Sequence, residues 1–134
     1  MDSGTVDRGE VPALPASLGV AGDFRKLVAY RLAAALANDL YEVASRWPRF
    51  ELWAVGLQLV RAADSVAANI AEADGRFQPA DRRRFLLIAR ASLYETEHWM
   101  LQAEKRGLLP EGSSKRVDEV ARTLNGLLKK PTPA

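Results

Sequence analysis

Residues 58–76, QLVRAADSVAANIAEADGR, form an alanine-rich segment with the apolar spacing of an amphipathic helix. Alanine is the best helix former, and the segment has no proline and no glycine before Gly75, which suits a helix end. The helix is predicted to begin near Phe50, because Trp47-Pro48 just before it disfavours helical backbone. At about 100° per residue, one apolar stripe is predicted to face the core. Its members are Leu52, Val55, Leu59, Val66 and Ile70.

The same helix carries two further faces. A second apolar surface, well round the cylinder, consists of Trp53, Leu57 and Val60. Between the two apolar faces runs a polar line of Gln58, Arg61, Ser65, Asn69 and Glu72. In a structural interpretation, Asn69 and Glu72 satisfy the helix end and the turn, while Arg61 pairs with a carboxylate. In a functional interpretation, the line sets subunit geometry or lines a groove or pore that contacts a ligand.

The next segment predicts a third helix from Gln78-Pro79 to about Arg106, ended by Gly107. Its core candidates are Phe85, Ile88, Ala89, Ser92, Thr96, Trp99 and Met100. On another side, Leu87, Tyr94 and Leu101 recur every seven residues. A bundle helix needs one buried stripe, so the second apolar rows predict packing between subunits of a homo-oligomer. The alternative is that these rows meet the fourth helix or the N-terminal tail within one subunit.

Two other helices complete the pattern. Asp23 is predicted to cap a helix that runs to about Ser45. A fourth helix, starting near Ser113 or Ser114, carries Val117, Val120, Leu124, Leu127 and Leu128 on one side. Residues 1–22 are rich in glycine, proline and serine and are predicted to form a flexible tail, as are residues 131–134. Residues 23–130 predict an all-α, antiparallel up-and-down four-helix bundle.

Composition excludes much of catalytic chemistry. The 134 residues include no cysteine and one histidine, which rules out disulfides, thiolate catalysis and multi-histidine metal sites. Glu95 and His98 form a single Glu-x-x-His pair, whereas a di-iron bundle needs two. We therefore expect no catalytic residue, metal or cofactor. No apolar run approaches the roughly 18 residues of a membrane span, and the N-terminus lacks the basic start of a signal peptide, so we expect a cytoplasmic protein without a membrane partner.

The densest basic run lies at the start of the third helix. The basic positions singled out are Arg76, Arg82, Arg83, Arg84 and Arg90. Arginine forks suit phosphate groups, so these side chains are predicted to contact the backbone of RNA or DNA without sequence preference, in a salt-sensitive manner. The alternative is a solvated face, or ion pairs with neighbouring acids such as Glu72 and Asp81.

Residues 58–76 and 84–95 (RFLLIARASLYE) resemble the signature of a bacterial four-helix-bundle family. The family is named for proteins encoded in intervening sequences of large-subunit ribosomal RNA genes. The Asn-Ile-Ala-Glu segment at residues 69–72, followed by Gly75-Arg76, is its most specific part, and residues 24–30 and 106–109 also fit. The family usually has glycine directly after that glutamate, where this chain has Ala73. The resemblance covers about residues 23–110.

The resemblance implies a ring assembly, often a homopentamer. A group of similar architecture, the accessory proteins of diversity-generating retroelements, binds nucleic acid and a reverse transcriptase. By analogy the expected partners are further copies of the chain, RNA or DNA, and a reverse transcriptase or another protein. The leading hypothesis is a non-enzymatic oligomeric scaffold or accessory factor that binds nucleic acid through its arginines. The alternative is a protein–protein adaptor with no nucleic-acid affinity.

Overall fold

The computed structural model describes residues 9, 11–14 and 23–130, and their regular structure is helical. Helix α1 is Val28–Ala44, α2 runs without interruption over residues 49–74, α3 is Pro79–Lys105 and α4 is Val117–Lys129. Short 3-10 turns at Phe24–Lys26 and Ser113–Arg116 precede α1 and α4. The predicted tails at residues 1–22 and 131–134 lie outside the described residues, apart from Gly9 and residues 11–14. The predicted all-α fold with four helices is confirmed.

The helices pack in a four-membered circle around one core. Helix α1 contacts α2 and α4, and α3 contacts the same two neighbours. Four of the large side chains that fill the centre are Leu59, Ile70, Leu93 and Leu124. Val55, Val66, Val117 and Val120 are also buried, as the sequence predicted. Each helix therefore contributes one stripe, in the manner of an up-and-down bundle.

The core face of α3 differs from the prediction. The structure buries Leu86, Ala89, Leu93, Thr96, Met100 and Ala103. Of the predicted core residues, Ile88 is 38% exposed, and Phe85, Ser92 and Trp99 are only half-buried. At about 100° per residue, the predicted face is rotated by roughly 50° towards α2. The reason is that α4 packs against the other flank of α3, which moves the centre of burial to Leu86 and Leu93.

The start of α1 also departs from the prediction. The Asp23 carboxylate accepts hydrogen bonds from the backbone N–H and the Nε of Arg25, at 3.2 and 2.8 Å. The side-chain bond from Arg25 lowers the pKa of Asp23. However, Asp23 caps only the 3-10 turn Phe24–Lys26, because Leu27 adopts extended backbone and α1 begins at Val28. The single predicted helix from Asp23 to Ser45 is therefore wrong at its N-terminus.

Helix α2 contains one wide turn that the sequence did not reveal. Leu52–Gly56 is π-helical, and the Leu57 N–H donates to the carbonyl of Leu52, five residues earlier. A Cβ on Gly56 would lie 2.9 Å from Cδ1 of Leu52 and 3.6 Å from the Cβ of Ala44, so glycine permits close packing against the end of α1. A π turn adds a residue and rotates what precedes it. As a result Leu52, predicted in the core stripe, is only half-buried.

A carboxylate joins α3 to α4. Helix α3 ends at Gly107, whose φ of +72° and whose N–H bond to the Glu104 carbonyl form a left-handed cap. One turn earlier, the Glu104 side chain accepts from the N–H groups of Gly112 and Ser114, at 2.9 and 2.8 Å. The hydrogen bonds from Ser114 and Gly112 lower the pKa of Glu104. The loop before α4 is therefore fixed by a side chain of α3.

Candidate interaction surfaces

The polar line of α2 divides into a packed half and a solvent-exposed half. Ser65 Oγ lies 2.8 Å from Ser92 Oγ on α3, and the Asn69 side-chain amide donates to the carbonyl and hydroxyl of Ser65, at 2.8 and 3.0 Å. These three side chains are half-buried and bridge α2 to α3. Gln58 and Arg61 are exposed, and within residues 23–130 neither has a side-chain partner. The carboxylate pair expected for Arg61 is therefore not formed.

The polar line ends in an ion-pair cluster at the α2–α3 turn. Glu72 accepts a hydrogen bond from Arg76, which also lies 3.4 Å from Asp81. The other oxygen of Asp81 accepts from Arg84 at 2.9 Å. The guanidinium carbons of Arg76 and Arg84 lie 4.6 and 4.5 Å from the ring centroid of Phe85. This cluster fits the ion-pair alternative for two of the predicted phosphate-binding arginines.

The other three arginines have varied partners. Arg82 lies 3.7 Å from the Asp74 carboxylate. Arg83 donates to the carbonyl of Leu128 at 3.0 Å, and Arg90 donates to Oδ1 of Asn125 at 3.2 Å. Carbonyl and amide oxygens do not cancel a positive charge, so Arg83 and Arg90 keep theirs. Both side chains reach α4, which shows that this flank of α3 faces that helix.

An exposed aromatic residue stands beside the cluster. Phe77, in the turn between α2 and α3, is fully exposed to solvent and directly follows Arg76. The sequence analysis did not single it out, because a lone aromatic in a loop carries no periodic signal. Bases of single-stranded nucleic acid stack on such exposed rings.

The α3 row, Leu87, Tyr94 and Leu101, lies on the α4 side of α3. Leu87 falls between Arg83 and Arg90, whose side chains contact α4, and it is half-buried. Tyr94 is 56% exposed and Leu101 43% exposed. The fourth helix therefore covers only one end of this row within the described part of the chain.

The α2 row, Trp53, Leu57 and Val60, lies on the opposite flank of the α2–α3 pair. Ser65 marks the side of α2 that meets α3, whereas Asp64 and Ala68 face a groove beside α1. Leu57 shares the angular position of Asp64, seven residues later. Trp53 is 64% exposed; Leu57 and Val60 are half-buried. The two apolar rows therefore point away from each other.

The groove that continues the α2 row has a floor and walls of small side chains. It has a volume of about 370 Å³ and is lined mainly by alanines of α1 and α2, namely Ala34, Ala37, Ala67, Ala68 and Ala71. Phe24 and Tyr30 close one end, with their ring centroids 4.9 Å apart. Asp64 and Asn38 are its polar lining residues. Among the described residues, the Asp64 carboxylate has no hydrogen-bond or ion-pair partner.

Metal and membrane chemistry receive no support from the geometry. The described residues hold no group of three or more histidines and carboxylates placed to bind a metal ion. None of their helices is both long enough and apolar enough to cross a membrane. The ring of His98 packs edge-on against Trp99 at 4.9 Å, which is a structural contact.

The fold and its surfaces define a small four-helix bundle with two apolar rows outside its own core. The chain belongs to a family described as the 23S rRNA-intervening sequence proteins, which residues 25–130 match. A similar solved structure is that of a protein of unknown function from the S23 ribosomal protein family of Bacteroides thetaiotaomicron. It has a TM-score of 0.67 and 21% identity, and the match covers 77% of this chain and 100% of the other. No curated protein matches.

Proposed function

We propose that the protein is a non-enzymatic scaffold that assembles from several copies of itself. The observation that carries this proposal is the exposure of Tyr94 and Leu101 after α4 has packed beside α3. Exposed apolar residues in a regular row are typical of an interaction surface. The exposed Trp53 of the α2 row adds a second surface on the other flank. A ring, with five copies as the family resemblance suggests, is the assembly we propose.

Light scattering coupled to gel filtration tests self-assembly directly. The wild-type chain is expected to elute at a multiple of the chain mass, and Tyr94→Glu to dissociate it, because a charge buried in an apolar interface is costly. Val28→Glu is a matched control, since Val28 is 57% exposed on α1 and lies in neither row. It should leave the mass unchanged. A wild-type chain that is monomeric at tens of micromolar refutes the proposal.

A second candidate function is binding of nucleic-acid backbone at the α2–α3 end of the bundle. Its support is that Arg83 and Arg90 keep uncancelled charges, while Phe77 offers an exposed ring beside Arg76. Against it, the carboxylates of the cluster neutralise much of the arginine charge. A reverse transcriptase or another protein as partner is proposed from the resemblance alone.

Fluorescence anisotropy with a labelled structured RNA, at low and near-physiological salt, tests this candidate. Binding should weaken steeply with salt, with a log–log slope of about 0.7–0.9 per phosphate contact. Arg83→Ser should reduce that slope, whereas Arg122→Ser, at an exposed position on α4, should not. Asp81→Asn should tighten binding, because it releases Arg76 and Arg84. No binding at low salt leaves the adaptor without nucleic-acid affinity.

A further inference from the structure

We propose that the alanine groove between α1 and α2 is the seat for the α3 row of a second copy of this chain. The inference rests on the proposed self-assembly and assigns its two contacting surfaces. It makes the interface heterologous, because each chain offers a groove on one flank and a row of large side chains on the other. Such an interface repeats from copy to copy and closes into a ring or continues as a filament.

The shapes of the two surfaces are complementary. The groove is floored by the buried Ala37 and Ala67, and its volume of about 370 Å³ is lined largely by methyl groups. The α3 row presents one large residue every second turn of its helix. Helices pack by inserting a ridge of side chains into a groove of the neighbour, and small residues permit close approach. Tyr94, the most exposed member of the row, fits the aromatic anchors that dominate interfaces.

The lengths of the two surfaces also agree. The α3 row spans fourteen residues from Leu87 to Leu101, which is about 21 Å of helix. On α2, the side of the groove from Leu57 to Ala71 spans fourteen residues as well. All three large side chains of the row can therefore lie along the groove at once.

Charge complementarity identifies the occupant as this chain. Asp64 lines the groove with a carboxylate that has no partner among the described residues. Arg90 lies one turn from Tyr94 on α3, and its bond to Asn125 leaves its positive charge uncancelled. When Tyr94 sits over Ala68, one turn from Asp64, Arg90 and Asp64 are brought to the same level. The lone acid and the lone cation then satisfy each other.

Two blocking variants test this assignment. Ala68→Trp fills the groove from an exposed position, and Tyr94→Glu removes the anchor of the row. Each variant alone is expected to be monomeric by light scattering, with a wild-type melting temperature. Ala35→Trp is the matched control, an exposed alanine of α1 that does not line the groove, and it should keep the wild-type mass.

The decisive measurement is an equimolar mixture of the two monomeric variants at roughly 100 µM, which favours weak complexes. The intact row of the Ala68→Trp chain should enter the intact groove of the Tyr94→Glu chain. The mixture should then form a dimer of twice the chain mass and grow no further. The chain that carries both substitutions should stay monomeric, alone or mixed with itself at double concentration.

Different failures point to different errors. A monomeric wild-type chain refutes self-assembly and this inference together. An oligomeric wild type whose mass survives Ala68→Trp overturns this inference alone, as expected if the chain's own tail covers the groove. A mixture that remains monomeric, while both single variants have lost assembly, also overturns it, because like surfaces then pair with like.

Discussion

The face of α3 that meets the core can be tested by two substitutions that remove the same three carbon atoms. Leu93→Ala removes them from a position with no exposed surface, and Ile88→Ala from one that is 38% exposed. At about 0.8 kcal/mol per buried CH₂, the transfer loss is about 2.4 kcal/mol for Leu93 and about 1.5 kcal/mol for Ile88. A cavity at the closely packed Leu93 adds to its cost, whereas solvent and neighbours relax around Ile88.

The expected loss in free energy of unfolding is therefore about 3 kcal/mol for Leu93→Ala and about 1 kcal/mol for Ile88→Ala. Urea unfolding followed by circular dichroism measures both, at one protein concentration because assembly contributes to stability. The difference between midpoints, with equal m-values, is the quantity of interest. Equal losses, or a larger loss for Ile88→Ala, would show that the face suggested by sequence periodicity is the buried one and that α4 does not pack as described.

Three further outcomes are expected elsewhere in the bundle. Glu104→Gln should lower the melting temperature at neutral pH. Because the folded-state pKa of Glu104 is lowered, its contribution is complete above its usual value of 4.5 and is lost as pH falls through the lowered value, so the gap to wild type should close in acid; a gap independent of pH contradicts this. Gly107→Ala should cost about 1 kcal/mol because φ is +72°, and Gly107→Asn less, as thermal melting will show. Ser92→Ala should cost about 1 kcal/mol in urea, since it removes the bond to Ser65, and combining it with Ser65→Ala should add little.

Parts of the candidate surfaces could be predicted from sequence, because they are local and periodic. The rows containing Leu57 and Tyr94 follow from helical spacing, and the arginine cluster is visible as a run. Their environments could not be predicted. Asp81 lies within one turn of Arg84, so that pair was foreseeable, whereas the Arg83 bond to the carbonyl of Leu128 joins residues 45 positions apart.

The alanine groove shows the same limit. Ala34 and Ala67 look like ordinary helix formers in the sequence, and only the packing of α1 against α2 places them on opposite walls of one cavity. Asp64 likewise reads as one of many surface acids until its neighbours are seen to be alanines. The π turn at Leu52–Gly56 depends on contact with the end of α1, so propensity could not reveal it.

The sequence by itself determined four helices, their ends at Gly75 and Gly107, and the buried stripes of α2 and α4, because helix propensity, capping and 3.6-residue periodicity act over a few neighbouring residues. The tertiary structure decided which way α3 faces, which arginines are neutralised and where the groove lies. Those properties depend on side chains brought together from different helices, and their burial is set by the two neighbours that each helix acquires in the bundle.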